Sequence, residues 1–225
     1  MVCGKALLYG TEPKELVCVY CGNPGHAYIT CPQGHFVCDP CHSRKAREEI
    51  ERLIFSATYK DPVETAELAF QIPALPMLGC EHAYIAGGAL MAALKNIGRG
   101  TDEDIKEVFR RTEKQAHGGF CGLTGVCGIA PAIGAVFAVL TGSKCGTDKE
   151  QRATMEAVVE VSRAIASLTG PGCCKAYVVT SLETATDLLR EKMGMELPMG
   201  NSFSCRYVAR HPHGCREKLC PYFSL

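Results

Sequence analysis

Cysteine carries the chemistry that this sequence can do. Fifteen of its 225 residues are cysteine, concentrated between Cys18 and Cys41 and again between Cys173 and Cys220. The first concentration reads CVYCGNPGHAYITCPQGHFVCDPCH and contains Cys18-x2-Cys21, Cys31-x3-His35, Cys38-x2-Cys41 and then His42. Two Cys-x2-Cys knuckles can set four thiolates at the corners of a tetrahedron about 2.3 Å from a zinc ion, the closed geometry of a structural site. Such a module has little room for an apolar core, so the metal supplies its folding energy. Cys31, His35 and His42 could form a partial second site or simply hydrogen-bond and pack locally.

The spacing of these residues resembles the first six ligands of a RING finger, in which the first and third pairs share one zinc; the last pair of that pattern is missing here. The resemblance implies that Cys18, Cys21, Cys38 and Cys41 form the site. It leaves a stabilising knuckle, or a surface that a protein partner recognises, as the module's role.

Beyond the module stand Cys80, Cys121, Cys127, Cys145, Cys173, Cys174, Cys205, Cys215 and Cys220. Taken singly, a free cysteine is an ordinary small core residue. Cys80 and His82 are two apart, about 200° around a helix, which disfavours a joint site. The tail CRYVARHPHGCREKLCPYF differs, because its three cysteines sit in a Pro-, Gly- and His-containing loop with little apolar content. Loop thiols gain little from burial, so ligation or redox chemistry accounts for them better. Cys174, preceded by GPGC, joins Cys205, Cys215 and Cys220 to give four thiolates, enough for a [4Fe–4S] cluster, or three with one iron left open.

The segment HGGFCGLTGVCGIAPAIG adds five glycines, at 118, 119, 122, 125 and 128, ahead of an apolar run. Glycine lets backbone N–H groups approach an anion or cluster at a helix start. In that case Cys121 or Cys127 would act as nucleophile, ligand or sulfur carrier, with His117 as general acid or base. Otherwise the glycines and alanines let neighbouring helices pack closely, and both explanations can hold together.

YCGNPGHAYITCPQGHFVCDPCHS, HGGFCGLTGVCG, GCCK and the final CPYF look like a cysteine-rich family of unknown function from anaerobic archaea and bacteria. That family implies no activity. Over residues 117–215 the chain is also similar to the iron–sulfur L-serine dehydratases, which share a Gly-Cys-rich turn opening a small-residue helix and a cysteine placed as in PGCCK. That likeness implies that Cys205 and Cys215 join the same cluster, whose free iron would polarise a substrate hydroxyl or thiol. The chain lacks those enzymes' separate substrate domain and the Asn that follows their basic residue. The resemblance thus implies a lyase, desulfidase or sulfur-transfer enzyme on a small molecule. The other class is a non-catalytic zinc and iron–sulfur adaptor or redox sensor.

The elements that must position these thiols read as helices. After Ser43, Ala46, Ile50, Leu53 and Ile54 recur at helical spacing, predicting a helix that ends near Thr58. Asp61 caps a helix beginning at Pro62, residues 80–97 form another, and Thr101 with Asp104 opens a third through a capping box. Helices are expected over residues 126–140, from DKEQ to Gly170, and from GCCK to about Gly194. The fold class is therefore mostly α, with a zinc module over residues 1–43 and a cysteine-rich helical domain with a C-terminal metal-binding loop over residues 44–225.

Lys plus Arg and Asp plus Glu are 24 each, so no charge excess exists to grip nucleic acid. The longest apolar run, residues 126–140, is too short for a bilayer, and the start lacks a basic leader and apolar core. A cytoplasmic protein is expected, and a reducing compartment argues for metal over disulfides.

Overall fold

The computed structural model describes residues 2–3, 5–6, 8–200 and 203–224, which divide into two compact units, Met1–Lys45 and Ala46–Leu225. The protein is mostly α with one small sheet, as the helical periodicities predict. In the first unit β1 (Leu8–Val17) and β2 (Pro24–Thr30) form an antiparallel ribbon, with a register shift between Tyr9 and Lys14. Tyr9, Val17, Tyr28 and Ile29 of this ribbon are exposed. A lone two-stranded ribbon is marginal in water. Among the described residues of this unit only Cys18, Thr30 and Cys31 are buried, so its centre is made of thiols rather than hydrocarbon.

The unit boundary falls inside α1 (Asp39–Ser56), whose Ala46, Ile50 and Ile54 are buried. It starts before Ser43, taking in Cys41 and His42, and stops two residues short of the expected Thr58. α2 (Pro62–Phe70) is capped as its sequence dictates: the Asp61 carboxylate accepts from the Val63 N–H at 2.7 Å. α3 (Glu81–Asn96) is buried on every side from Glu81 to Leu94, the mark of a central helix. α4 (Asp102–Gln115) begins with the full Thr101–Asp104 capping box.

α5 (Phe120–Thr124) is a single exposed turn that the periodicity did not announce, and α6 (Ile129–Thr141) starts three residues later than residue 126. Gly119 and Gly125 explain both differences. They bracket α5 with φ of 76° and 75°, a left-handed conformation that costs glycine little and stops a helix. α7 (Lys149–Ser167) and α8 (Cys174–Met193) complete the unit, with short 3-10 turns at Val208–Arg210 and Glu217–Leu219.

α3 packs on α2, α4, α6 and α8, and small residues set how closely. A Cβ on Gly88 would lie 2.7 Å from the Phe109 ring, and one on Gly134 would lie 2.5 Å from Val158 Cγ2. No helix among the described residues is long and apolar enough to cross a membrane.

Candidate metal centres

Two groups of thiols are built by different means. In the first unit Cys18, Cys21, Cys38 and Cys41 bring their sulfurs within 4.8 Å of one another. The Cys21 and Cys38 sulfurs are 3.6 Å apart, close to the edge of about 3.8 Å that a tetrahedron with metal–sulfur bonds near 2.3 Å requires. The chain makes this geometry with a turn in which Gly22, at φ 73°, donates its N–H to the Cys18 carbonyl, and the start of α1 brings in Cys41. The Cys38 N–H points at Cys18 Sγ at 3.4 Å, and the Arg44 guanidinium reaches Cys41 Sγ at 3.1 Å.

Four thiols this close cannot all ionise in one another's company. Burial works against the Cys18 thiolate, yet N–H groups of Cys38, Cys21 and Tyr20 bring its pKa down to about 6. At Cys38 the Cys41 N–H favours ionisation, but burial and the crowding of Cys18, Cys21 and Cys41 win and push it up to about 12. A dication among the four removes the conflict, so the quartet could hold a metal ion. A second group, Cys3, Cys31 and His35, also gathers within 4.8 Å. Spacing alone gave no signal for Cys3, which lies fifteen residues before the first knuckle.

In the helical unit the C-terminal chain folds back over the start of α8. There Cys173, Cys205, Cys215 and Cys220 line one small, tightly walled pocket with Arg216 and Tyr207. The strap is tied down from several sides. Cys205 N–H donates to the Tyr222 carbonyl at 2.8 Å, Tyr222 Oη donates to Glu183 Oε2 at 2.6 Å, and Arg216 donates to the Pro171 carbonyl at 2.7 Å. Phe203 stacks edge-on to both Phe70 and Tyr222, closing one wall.

Cys205 and Cys215 each accept the N–H of the residue two further on, Tyr207 at 3.4 Å and Glu217 at 3.3 Å. At Cys205 burial outweighs this bond and, with the neighbouring thiols, pushes the thiol's pKa up. Glu217 reaches its position with φ 47°, the only non-glycine positive φ among the described residues, and such strain persists only where the surroundings impose it. Arg216 is 8 % exposed, and its second terminal nitrogen is buried without a hydrogen-bond partner. A guanidinium so placed calls for a negative partner.

Lys175 is 2 % exposed, one residue past Cys174, with Nζ 3.3 Å from His82 Nε2 and 4.8 Å from the ring centres of both Phe70 and Tyr207. Burial, then Arg210, lowers its pKa to about 8, while the thiols of Cys173, Cys174 and Cys205 pull the other way. His82 is fully buried and its pKa is lowered to about 3, by burial first and then by Lys175. Its neutral ring therefore donates from Nδ1 to the Gly79 carbonyl at 3.0 Å and accepts from Lys175.

The folded His82 pKa lies below the ordinary 6.5, so below that pH the unfolded chain takes up a proton that the folded chain refuses. Stability of the helical unit should then fall by about 1.4 kcal/mol per pH unit between pH 6 and 4 from this residue alone. Urea unfolding followed by helical circular dichroism checks it, and an unchanged midpoint across that window would refute it.

The remaining sequence candidates are not among the C-terminal pocket's lining residues. Cys174, expected with Cys205, Cys215 and Cys220, is not among the pocket's lining residues. Its thiol is pushed up to about 12 by burial and by the thiols of Cys127, Cys173 and Cys121. Cys173 stands in the pocket in its place. Cys121 is exposed on α5 and Cys127 is half-buried ahead of α6. His117 is exposed and sits against Phe120.

The glycines around these residues differ in what surrounds them. Gly119 and Gly125 serve turns, a Cβ on Gly122 would meet nothing within 4 Å, and Gly128 is pressed by Ala116, whose Cβ would lie 2.9 Å away. His42 is exposed, and Cys80 is half-buried just before α3.

No curated protein and no solved structure matches this chain. Residues 50–223, which carry α2 to α8 and every thiol of the C-terminal pocket, match the family of unknown function DUF5714, and the chain belongs to that family.

Proposed function

We propose that this chain is a metalloprotein with two kinds of centre: a structural zinc on Cys18, Cys21, Cys38 and Cys41, and a closed [4Fe–4S] cluster on Cys173, Cys205, Cys215 and Cys220. The observation that carries the second assignment is the convergence of four thiols on one pocket. Among the described residues no three of them come within 4.8 Å of one another, as a single ion would need. A polynuclear cluster holds its thiolates farther apart than one ion does. Four thiolates on such a cluster leave it net negative, and the unpartnered Arg216 nitrogen at the pocket supplies an opposing charge.

A four-thiolate set leaves no iron open to a substrate. It therefore favours an electron-transfer, redox-sensing or structural role over the lyase or sulfur-transfer chemistry that the dehydratase resemblance implies. The electron-paramagnetic-resonance spectrum of the reduced, anaerobic protein should be the same with and without excess serine or cysteine. A spectrum that changes on adding either would mean an open iron and overturn the closed assignment.

A further inference from the structure

We infer that the first unit holds a second metal ion, on Cys3, Cys31 and His35, independent of the cluster and of the four-cysteine zinc site. The Cys3 and Cys31 sulfurs are 3.4 Å apart, and His35 Nδ1 is 3.6 Å from Cys31 Sγ. All three donor atoms fall within 4.8 Å, and both spacings approach the tetrahedral edge of about 3.8 Å expected around zinc.

The local backbone repeats the design of the first site. At Cys18 a glycine with φ 73°, Gly22, donates to the carbonyl of the cysteine that opens the turn at 2.9 Å. At Cys31 it is Gly34, with φ 76°, that donates to the Cys31 carbonyl at 2.9 Å. The order of glycine and second ligand is exchanged between the two turns, so His35 follows Gly34 where Cys21 precedes Gly22. The Gln33 N–H also points at Cys31 Sγ, at 3.4 Å, as the Cys38 N–H does at Cys18.

Burial is the independent argument. Among the described residues this unit buries two cysteines, Cys18 and Cys31, and one Thr. Cys18 belongs to the four-cysteine group, and Cys31 stands at the centre of the other. A buried thiol earns its place in an ordinary core by packing against hydrocarbon. Among the described residues of this unit no hydrocarbon side chain is fully buried, so the part of the ribbon that ends at Thr30 and Cys31 has little apolar packing to hold it. Cys3, otherwise an exposed residue ahead of β1, is drawn back to Cys31 across the ribbon.

Two thiolates and one imidazole leave a tetrahedral ion with a fourth position for an exchangeable ligand. Among the described residues no fourth donor joins them, so the ion keeps water or a small thiol, unlike the closed quartet.

The test is cobalt titration of the full chain, read by the visible bands of Co(II)–thiolate. Cys3→Ala and Cys31→Ala should each bind one equivalent fewer than the wild type, with the four-cysteine bands intact. Cys3→Ala is the decisive variant, because residue 3 precedes both strands and its loss does not disturb them. Equal uptake by Cys3→Ala and the wild type would overturn the second site, whatever the iron content of the protein. Adding 2-mercaptoethanol should shift only the bands of the equivalent lost in Cys3→Ala, and an unshifted spectrum would overturn the open fourth position.

Discussion

Cys18→Ser and Cys38→Ser will each strip the structural zinc from the protein and unfold residues 1–45, leaving the thermal midpoint of the helical unit where it was. The size of the effect follows from what else holds that unit together. Its ribbon exposes Tyr9, Val17, Tyr28 and Ile29, and burial is confined to Cys18, Thr30 and Cys31 among the described residues. A structural zinc contributes an apparent 10–16 kcal/mol in such modules, about ten times what a satisfied hydrogen bond or a half-exposed side chain can add. Nothing among the described residues of the ribbon offers a contribution of that size. Zinc analysis together with limited proteolysis reads the outcome: both variants should lose zinc to the same extent and be cut within residues 1–45. Full zinc retention in both would remove the basis for the quartet as a metal site.

The second large effect separates two adjacent residues. Cys173→Ser should abolish the visible absorbance of the anaerobic protein, and Cys174→Ser should leave most of it. Cys173 precedes α8 in an extended conformation, φ −126° and ψ 107°, and lines the pocket with Cys205, Cys215 and Cys220. Cys174 is the first residue of α8, and its buried thiol is raised to about 12 in the company of Cys127. Arg216→Met should lower cluster retention as well, since it removes the buried positive charge while keeping the bulk of the side chain. Cys205→Ser and Cys215→Ser are expected to behave as Cys173→Ser does, with zinc retained. If Cys174→Ser bleaches the protein and Cys173→Ser does not, the ligand set is the one that the sequence alone suggested.

These two residues also mark where sequence stops being legible. The elements were readable wherever a local rule decides them: Asp61 ahead of Pro62, the Thr101 and Asp104 pair, and the stripe of Ala46, Ile50 and Ile54 all do in the structure what their spacing predicts. The quartet was readable for the same reason, because a Cys-x2-Cys knuckle is a local turn. Which of two adjacent cysteines enters a pocket is not local; it depends on where α8 begins and how the C-terminal strap returns to it. Cys3 and Arg216 gave no signal at all, since their partners lie 28 residues away at Cys31 and 45 away at Pro171. The glycines at 119 to 128 are ambiguous in sequence. Composition cannot tell a glycine needed for positive φ from one that admits a ligand; in the structure Gly119 and Gly125 take positive φ and Gly128 packs against Ala116.

The most direct test of the central claim is the content of iron, zinc and acid-labile sulfide per chain in protein purified without oxygen. A closed cluster in the C-terminal pocket predicts about four iron and about four sulfide alongside the zinc of the first unit. Zinc alone, with no sulfide even after anaerobic reconstitution, would contradict it.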